Sequence, residues 1–273
     1  MNPGLFALVS ADVWSRGVLI IAAHPDDETI GAGGVIPGLP KLAIVMMTDG
    51  APENRRWWGD RALPSREEYA RARKAELAGA LAVAGVREEY VRALGRQDQR
   101  AAFDLVGLAE DIVGLIHEFR PGVILTHPYE GGHPDHDAAA FAVKAAQKLV
   151  ASEPPAIVEF TSYHATAEGV AVGRFLDAGL NPVHVGNATE VAIPLTSRDQ
   201  ERKRKMMQCF VTQTKSLKQF PIADFERYRL APEYDFLQPP HLGLLNFERF
   251  DWKITGEEWR ALAAEALRVL RIG

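Results

Sequence analysis

Two short segments carry donors suited to hydrolysis at a metal ion: AHPDDE at 23–28 and HPDH at 133–136. His24 and Asp27 stand three positions apart behind an apolar run, where a sharp turn would aim both at one point. His133 and His136 repeat that spacing, with Pro134 suited to the first turn of a helix. Two histidines and one carboxylate suit Zn²⁺ with a fourth position left for water. The same set with open positions also suits Fe²⁺. A divalent cation draws the pKa of its water toward ~7, and a second carboxylate can then take the proton. Asp26, adjacent to a candidate ligand, is the residue for that role.

Such a cluster needs strands that end together. GVLIIAA (17–23), PKLAIVMMTD (40–49), EEYVRAL (88–94) and GVILTH (122–127) read as β-strands, the first two and the last nearly pure hydrocarbon. Between them lie helical patterns at 29–39, 65–85 and 102–121, with Ser65 and Glu68 forming a capping box and Gly85 and Pro121 as stops. Further helices are expected at 136–152, 198–217 and 256–270, and later strands in AIVEFTSYH (156–164) and VHVGNATEVAIPL (183–195). Alternating strands and helices predict an α/β fold with a doubly wound, mostly parallel sheet and helices on both faces. One domain over 1–273 is expected, with its core at about 17–215 and a loop-rich extension plus terminal helix at 219–273. In that architecture ligands bind beyond the carboxyl ends of the strands. AHPDDE, TDGAPENRRWWGD and THPYEGGHPDHD all leave strands on that side, and four of the eight histidines lie in the first and third.

Composition narrows the classes. A net charge of -5 gives no reason to expect nucleic acid or an anionic membrane as partner. The single cysteine, Cys209, excludes an intrachain disulfide and a cysteine zinc site, and reads as a small core residue. No run approaches the ~20 apolar residues that span a bilayer. No export signal is recognisable at the N-terminus, so a cytoplasmic protein is expected. The sequence leaves a homo-oligomer open.

With both signatures intact, the chain resembles the PIG-L/LmbE-type deacetylases. TDG at 48–50, the R-x-x-E of Arg73 and Glu76, and the late helix RKRKMMQCFVTQT add to the likeness, which covers roughly 17–215. The resemblance implies zinc-dependent removal of an N-acetyl group from a small amino sugar or glycoside. It implies that His24, Asp27 and His136 bind zinc and that Asp26 is the general base. His133 would be an imidazolium serving the tetrahedral intermediate and the leaving amine. Arg73, and in GRQDQ Asp98, match positions that hold the sugar. Some relatives place an oxyanion-assisting tyrosine two residues before HPDH, where this chain has Gly131. Tyr129 either swings in through Gly131-Gly132 or leaves the oxyanion to zinc and His133, and the second reading is adopted.

Smaller features are read structurally. GAGG (31–34) lacks the last glycine of G-x-G-x-x-G and suits close helix–sheet packing, and Glu28 reads as support. His127 either orients a neighbour of the ion or simply ends its strand. RKRK (202–205) is taken as a solvated helix face. Arg55, Arg56, Trp57 and Trp58 either clamp a sugar and an anionic group or anchor their loop, with Arg55 kept as a substrate-side candidate. The Asn187 sequon carries no weight without an export signal. Competing functions are a non-catalytic metal- or sugar-binding protein and an Fe(II) oxygenase. A two-metal phosphoesterase lacks a second histidine–acid cluster.

Overall fold

The computed structural model describes residues 3–59, 63–176, 189–250 and 252–272. In chain order the first elements are α1 (Ala11–Ser15), β1 (Val18–Ala22), α2 (Asp27–Ala32), β2 (Ala43–Thr48), α3 (Arg66–Val83) and β3 (Val91–Arg96). Then come α4 (Leu105–Phe119), β4 (Val123–Thr126), α5 (Pro134–Leu149), β5 (Ala156–Phe160), β6 (Tyr163–Thr166) and β7 (Gly169–Val172). The last are β8 (Glu190–Pro194), α6 (Ser197–Cys209), α7 (Thr214–Leu217), β9 (Phe225–Leu230) and α8 (Gly256–Leu270).

Among the described residues, seven strands form one sheet in the order β3-β2-β1-β4-β5-β9-β8. The first five are parallel, while β9 runs antiparallel to both β5 and β8. Alternation along β1 divides the interior. Leu19 and Ile21 face a core shared with α4, α5 and α8, and Val18, Ile20 and Ala22 face one shared with α3 and α6. Helices therefore cover both faces of a single α/β domain, as the alternating pattern predicts. No helix among the described residues is long and apolar enough to cross a membrane.

The glycine cluster packs as expected. A Cβ on Gly31 would lie 2.2 Å from the Phe160 ring, and one on Gly34 would lie 2.4 Å from Leu195. Three expectations are corrected. The extension at 219–273 is not only loop and terminal helix, because β9 enters the sheet between β5 and β8. The single helix expected at 198–217 breaks at Phe210 into α6, a 3₁₀ turn and α7. RKRK is not wholly solvated, because Lys203 is buried and donates to Glu226 Oε1 at 2.6 Å and to the Ile30 carbonyl at 2.7 Å. Cys209 is only partly buried, at the edge of the second core. Residues 183–188 of the late-strand expectation, including Asn187, lie outside the described residues.

Candidate metal centre

β1 and β4 are neighbours at the point where the strand order reverses, so their carboxyl ends open a crevice. The chain leaves β1 through a sharp turn in which Asp26 adopts φ 136°, a left-handed conformation that costs ~1–3 kcal/mol and needs holding. Glu28 helps hold it, since Oε2 accepts the Asp26 N–H at 3.1 Å and Oε1 accepts the Thr29 hydroxyl at 2.5 Å. Burial pushes the Glu28 carboxyl up to about 8. Beyond β4, His133 caps α5 by accepting the Asp135 N–H on Nδ1 at 3.1 Å.

The two turns meet at Asp27. Its Oδ2 accepts the His24 backbone N–H at 2.8 Å and lies 3.1 Å from His24 Nδ1. Its Oδ1 lies 3.3 Å from His136 Nε2. The far ring nitrogens are also fixed: His24 Nε2 faces Asp135 Oδ2 at 3.1 Å and Asp98 Oδ1 at 3.3 Å, and His136 Nδ1 lies 3.3 Å from the Ser162 hydroxyl. Such outer partners orient ligating imidazoles. Donor atoms of His24, His133 and His136 lie within 4.8 Å of one another, as do those of Asp27, His127 and His136.

Charge argues that the cluster fits a cation. Burial opposes protonation of His24, yet Asp98, Asp135 and Asp27 around the ring carry it well above the ordinary histidine value. Asp27, although buried, is held well below the carboxylate range by His136 and His127. Carboxylates that favour a proton on a buried imidazole mark a site that suits positive charge, which a divalent ion would supply in the proton's place.

Asp26 points at Arg73, with Oδ2 at 3.2 and 3.3 Å from the two terminal nitrogens. Burial still lifts its carboxyl to about 6 against that pull. Gly50, at φ 62°, permits this approach, since a Cβ there would lie 2.7 Å from Arg73 Nε and 2.8 Å from Pro25. Burial, with His24 and His136 alongside, holds His133 well below the ordinary value. Its Nδ1 accepts the Asp135 N–H, an arrangement that suits a neutral ring with its proton on Nε2. His127 is driven down to about 4, chiefly by burial, and its Nε2 accepts the Ala23 N–H. It stacks on His136 at 4.0 Å, which ties a strand end to a candidate ligand.

His24, Asp26, Asp27, Arg73, Asp98, His133 and His136 all line one cavity of about 350 Å³, within the ~300–1,000 Å³ common for small-molecule sites. A larger groove of about 720 Å³ between α3 and edge strand β3 carries no histidine, so chemistry rather than size marks the site.

The sequence profile described as PIG-L, GlcNAc-PI de-N-acetylase, matches residues 19–147. A probable N-acetyl-alpha-D-glucosaminyl L-malate deacetylase 2 of Bacillus cereus is 33% identical over 182 residues, covering 64% of this chain and 77% of the relative. The chain belongs to the PIG-L family. A 1D-myo-inositol 2-acetamido-2-deoxy-alpha-D-glucopyranoside deacetylase of Salinispora arenicola is 28% identical, covering 67% and 68% of the two chains. The crystal structure of the A40926 pseudoaglycone deacetylase Dbv21 superposes with a TM-score of 0.58 over 81% of this chain and 99% of its own, at 18% identity, which shows the shared fold.

Two candidates of this PIG-L protein stand apart from the cavity lining. Tyr129 is buried among Phe236, Tyr234 and Trp259 and donates its hydroxyl to the Gln238 carbonyl at 2.9 Å. Arg55 is exposed, donates to the Pro64 carbonyl and lies over Trp58. Trp58 anchors its loop by stacking on Tyr69 at 4.9 Å, whereas Trp57 lines the cavity. Asp135, Ser162 and Tyr163 went unassigned from sequence. Asp135 stood in plain view inside HPDH, but Ser162 and Tyr163 had no motif to mark them, and Tyr163 lines the cavity with its hydroxyl pKa raised by burial.

Proposed function

We propose that this protein is a zinc-dependent amidohydrolase that removes the N-acetyl group of a small amino sugar or glycoside. The carrying observation is the convergence of His24 Nδ1 and His136 Nε2 on the two oxygens of Asp27, with Asp26 and His133 lining the same cavity. The names of the Bacillus and Salinispora relatives, both deacetylases of N-acetylglucosamine conjugates, support the substrate class.

His24, Asp27 and His136 would hold the ion. When bound, it supplies Lewis-acid polarisation of the acyl oxygen and an acidified water. Asp26 takes the proton from the attacking water and is the group that can return it to the departing nitrogen. Arg73 keeps the Asp26 carboxylate aimed, and its Nε, buried without a partner among the described residues, is a donor left for the sugar. His133 offers Nε2–H to the oxygen that gains charge, as a neutral imidazole can. Service as an imidazolium would first break its bond from the Asp135 N–H.

Asp26→Asn tests the base. The variant is expected to keep wild-type zinc content by elemental analysis while amine release from N-acetylglucosamine falls about 10²- to 10⁴-fold. Undiminished amine release in a zinc-loaded variant would overturn the assignment.

A further inference from the structure

One wall of the cavity takes no part in that chemistry. Trp57, from the loop after β2, and Phe250 and Trp252, from the segment before α8, meet there as one aromatic cluster. Trp57 lies 5.6 Å from Phe250 and 5.8 Å from Trp252 between ring centroids, and the latter two stack at 4.8 Å. Trp252 also lies 4.4 Å from His133, so the wall begins beside the residue that faces the scissile amide. Phe250 remains 39% exposed.

Polar atoms beside this wall are unspent. The indole N–H groups of Trp57 and Trp252 and the Oδ1 of Asn246 are shielded from solvent and have no hydrogen-bond partner among the described residues. Asn246 is only 3% exposed, and its Nδ2 donates to the Gly132 carbonyl at 3.0 Å, which fixes the amide and leaves Oδ1 as an acceptor. Buried polar groups without partners are rare enough to need a reason, and a ligand is one. The rest of the lining adds neutral amides such as Gln213 and Gln219. Among the described lining residues there is no lysine, and the one arginine, Arg73, is held by Asp26.

We propose that this wall is a subsite for a second, uncharged sugar ring, so that the substrate is a neutral glycoside of the N-acetylated amino sugar. A pyranose offers C–H faces to aromatic rings and hydroxyls that both donate and accept, which matches two indole N–H donors and one amide acceptor. Within the lining a carboxylate or phosphate on the aglycone would meet only Arg73, already held by Asp26, while Arg56 lies outside the lining, stacked 4.6 Å over the Trp57 ring. The inference rests on the deacetylase reading, and its test separates the two.

With the zinc-loaded full chain, kcat/KM for amine release is measured on N-acetylglucosamine, N,N′-diacetylchitobiose and N-acetylglucosamine 1-phosphate. The disaccharide is expected to exceed the monosaccharide by at least about tenfold, and the phosphate to fall below both. Trp57→Ala and Phe250→Ala should each lower the disaccharide-to-monosaccharide ratio about tenfold, the scale of one lost stacking contact, with Trp57→Phe recovering part of it. An unmoved ratio in both alanine variants, preference for the phosphate, or a preference that follows N-acyl chain length instead would overturn the subsite. Tryptophan fluorescence titration with diacetylchitobiose gives a readout without turnover. Quenching that Trp57→Ala abolishes, with no amine released from any sugar, sinks the deacetylase reading and keeps the subsite. Amine release with an unmoved ratio does the reverse, and neither release nor quenching sinks both.

Discussion

Asp135 binds the two histidine-bearing turns to each other. Its Oδ2 faces His24 Nε2 at 3.1 Å and accepts the Gln99 N–H at 2.7 Å, while Oδ1 accepts the Ala101 N–H at 3.0 Å. The carboxylate thus sets which His24 nitrogen is left for an ion and fixes the loop that carries Asp98. Asp135→Asn is expected to weaken zinc affinity about 10- to 100-fold, the usual effect of losing an outer-shell partner. Competition with a chromophoric chelator measures this, and wild-type affinity would show that His24 is oriented without Asp135. The ligand candidates were legible because histidine and aspartate at strand ends are chemically conspicuous. The role of Asp135 was not, since its identity is visible in HPDH but its partners lie 34 to 111 positions away. Tyr129 misled for the opposite reason: its position beside the motif suggested reach, while the fold turns its hydroxyl to Gln238.

At the level of elements, α2 must sit hard against the sheet for Asp27, its first residue, to meet His136. Gly31 allows that approach, with Phe160 of β5 filling the space a side chain would take. Gly31→Ala is therefore expected to destabilise by about 1–3 kcal/mol through overpacking. Urea unfolding measures the loss, and a variant as stable as wild type would mean that the Phe160 ring yields freely. Apolar period and turn chemistry were enough to read β1, β2, β4 and the long helices, because buried parallel strands are nearly pure hydrocarbon. β9 escaped for a physical reason. Its sequence FERYRL shows charges at two positions that are buried in the fold, Glu226 against Lys203 and Arg229 against Glu159. Hydrophobic periodicity cannot register a strand whose inward residues are ion-paired.

Across the whole molecule, Arg229 adds a buried side-chain tie to the backbone pairing that joins the late antiparallel strands to the parallel half. From β9 it donates Nε to Glu159 Oε2 at 2.7 Å on β5 and a terminal nitrogen to Glu130 Oε1 at 3.0 Å, in the loop that leads to His133. Burial alone would raise the Glu130 carboxyl, but Arg229 and His164 hold it below the ordinary value. Glu159, with burial dominant, stays above its ordinary value even beside Arg229. Removing one partner of such a network leaves buried charge uncompensated, so Arg229→Met is expected to lose about 3–5 kcal/mol at neutral pH. The pH dependence has a definite sign. A depressed carboxylate contributes stability above its unfolded pKa and loses it as pH falls through the folded one. Without Arg229 both carboxyls move upward, and such groups destabilise the fold as they ionise, so the variant gains on acidification from both, whereas in wild type the loss at Glu130 opposes the gain at Glu159. The difference between the two in urea midpoint should therefore narrow from about pH 7 to about pH 4. A difference that stays constant or widens over that interval would show that Arg229 acts through packing rather than charge.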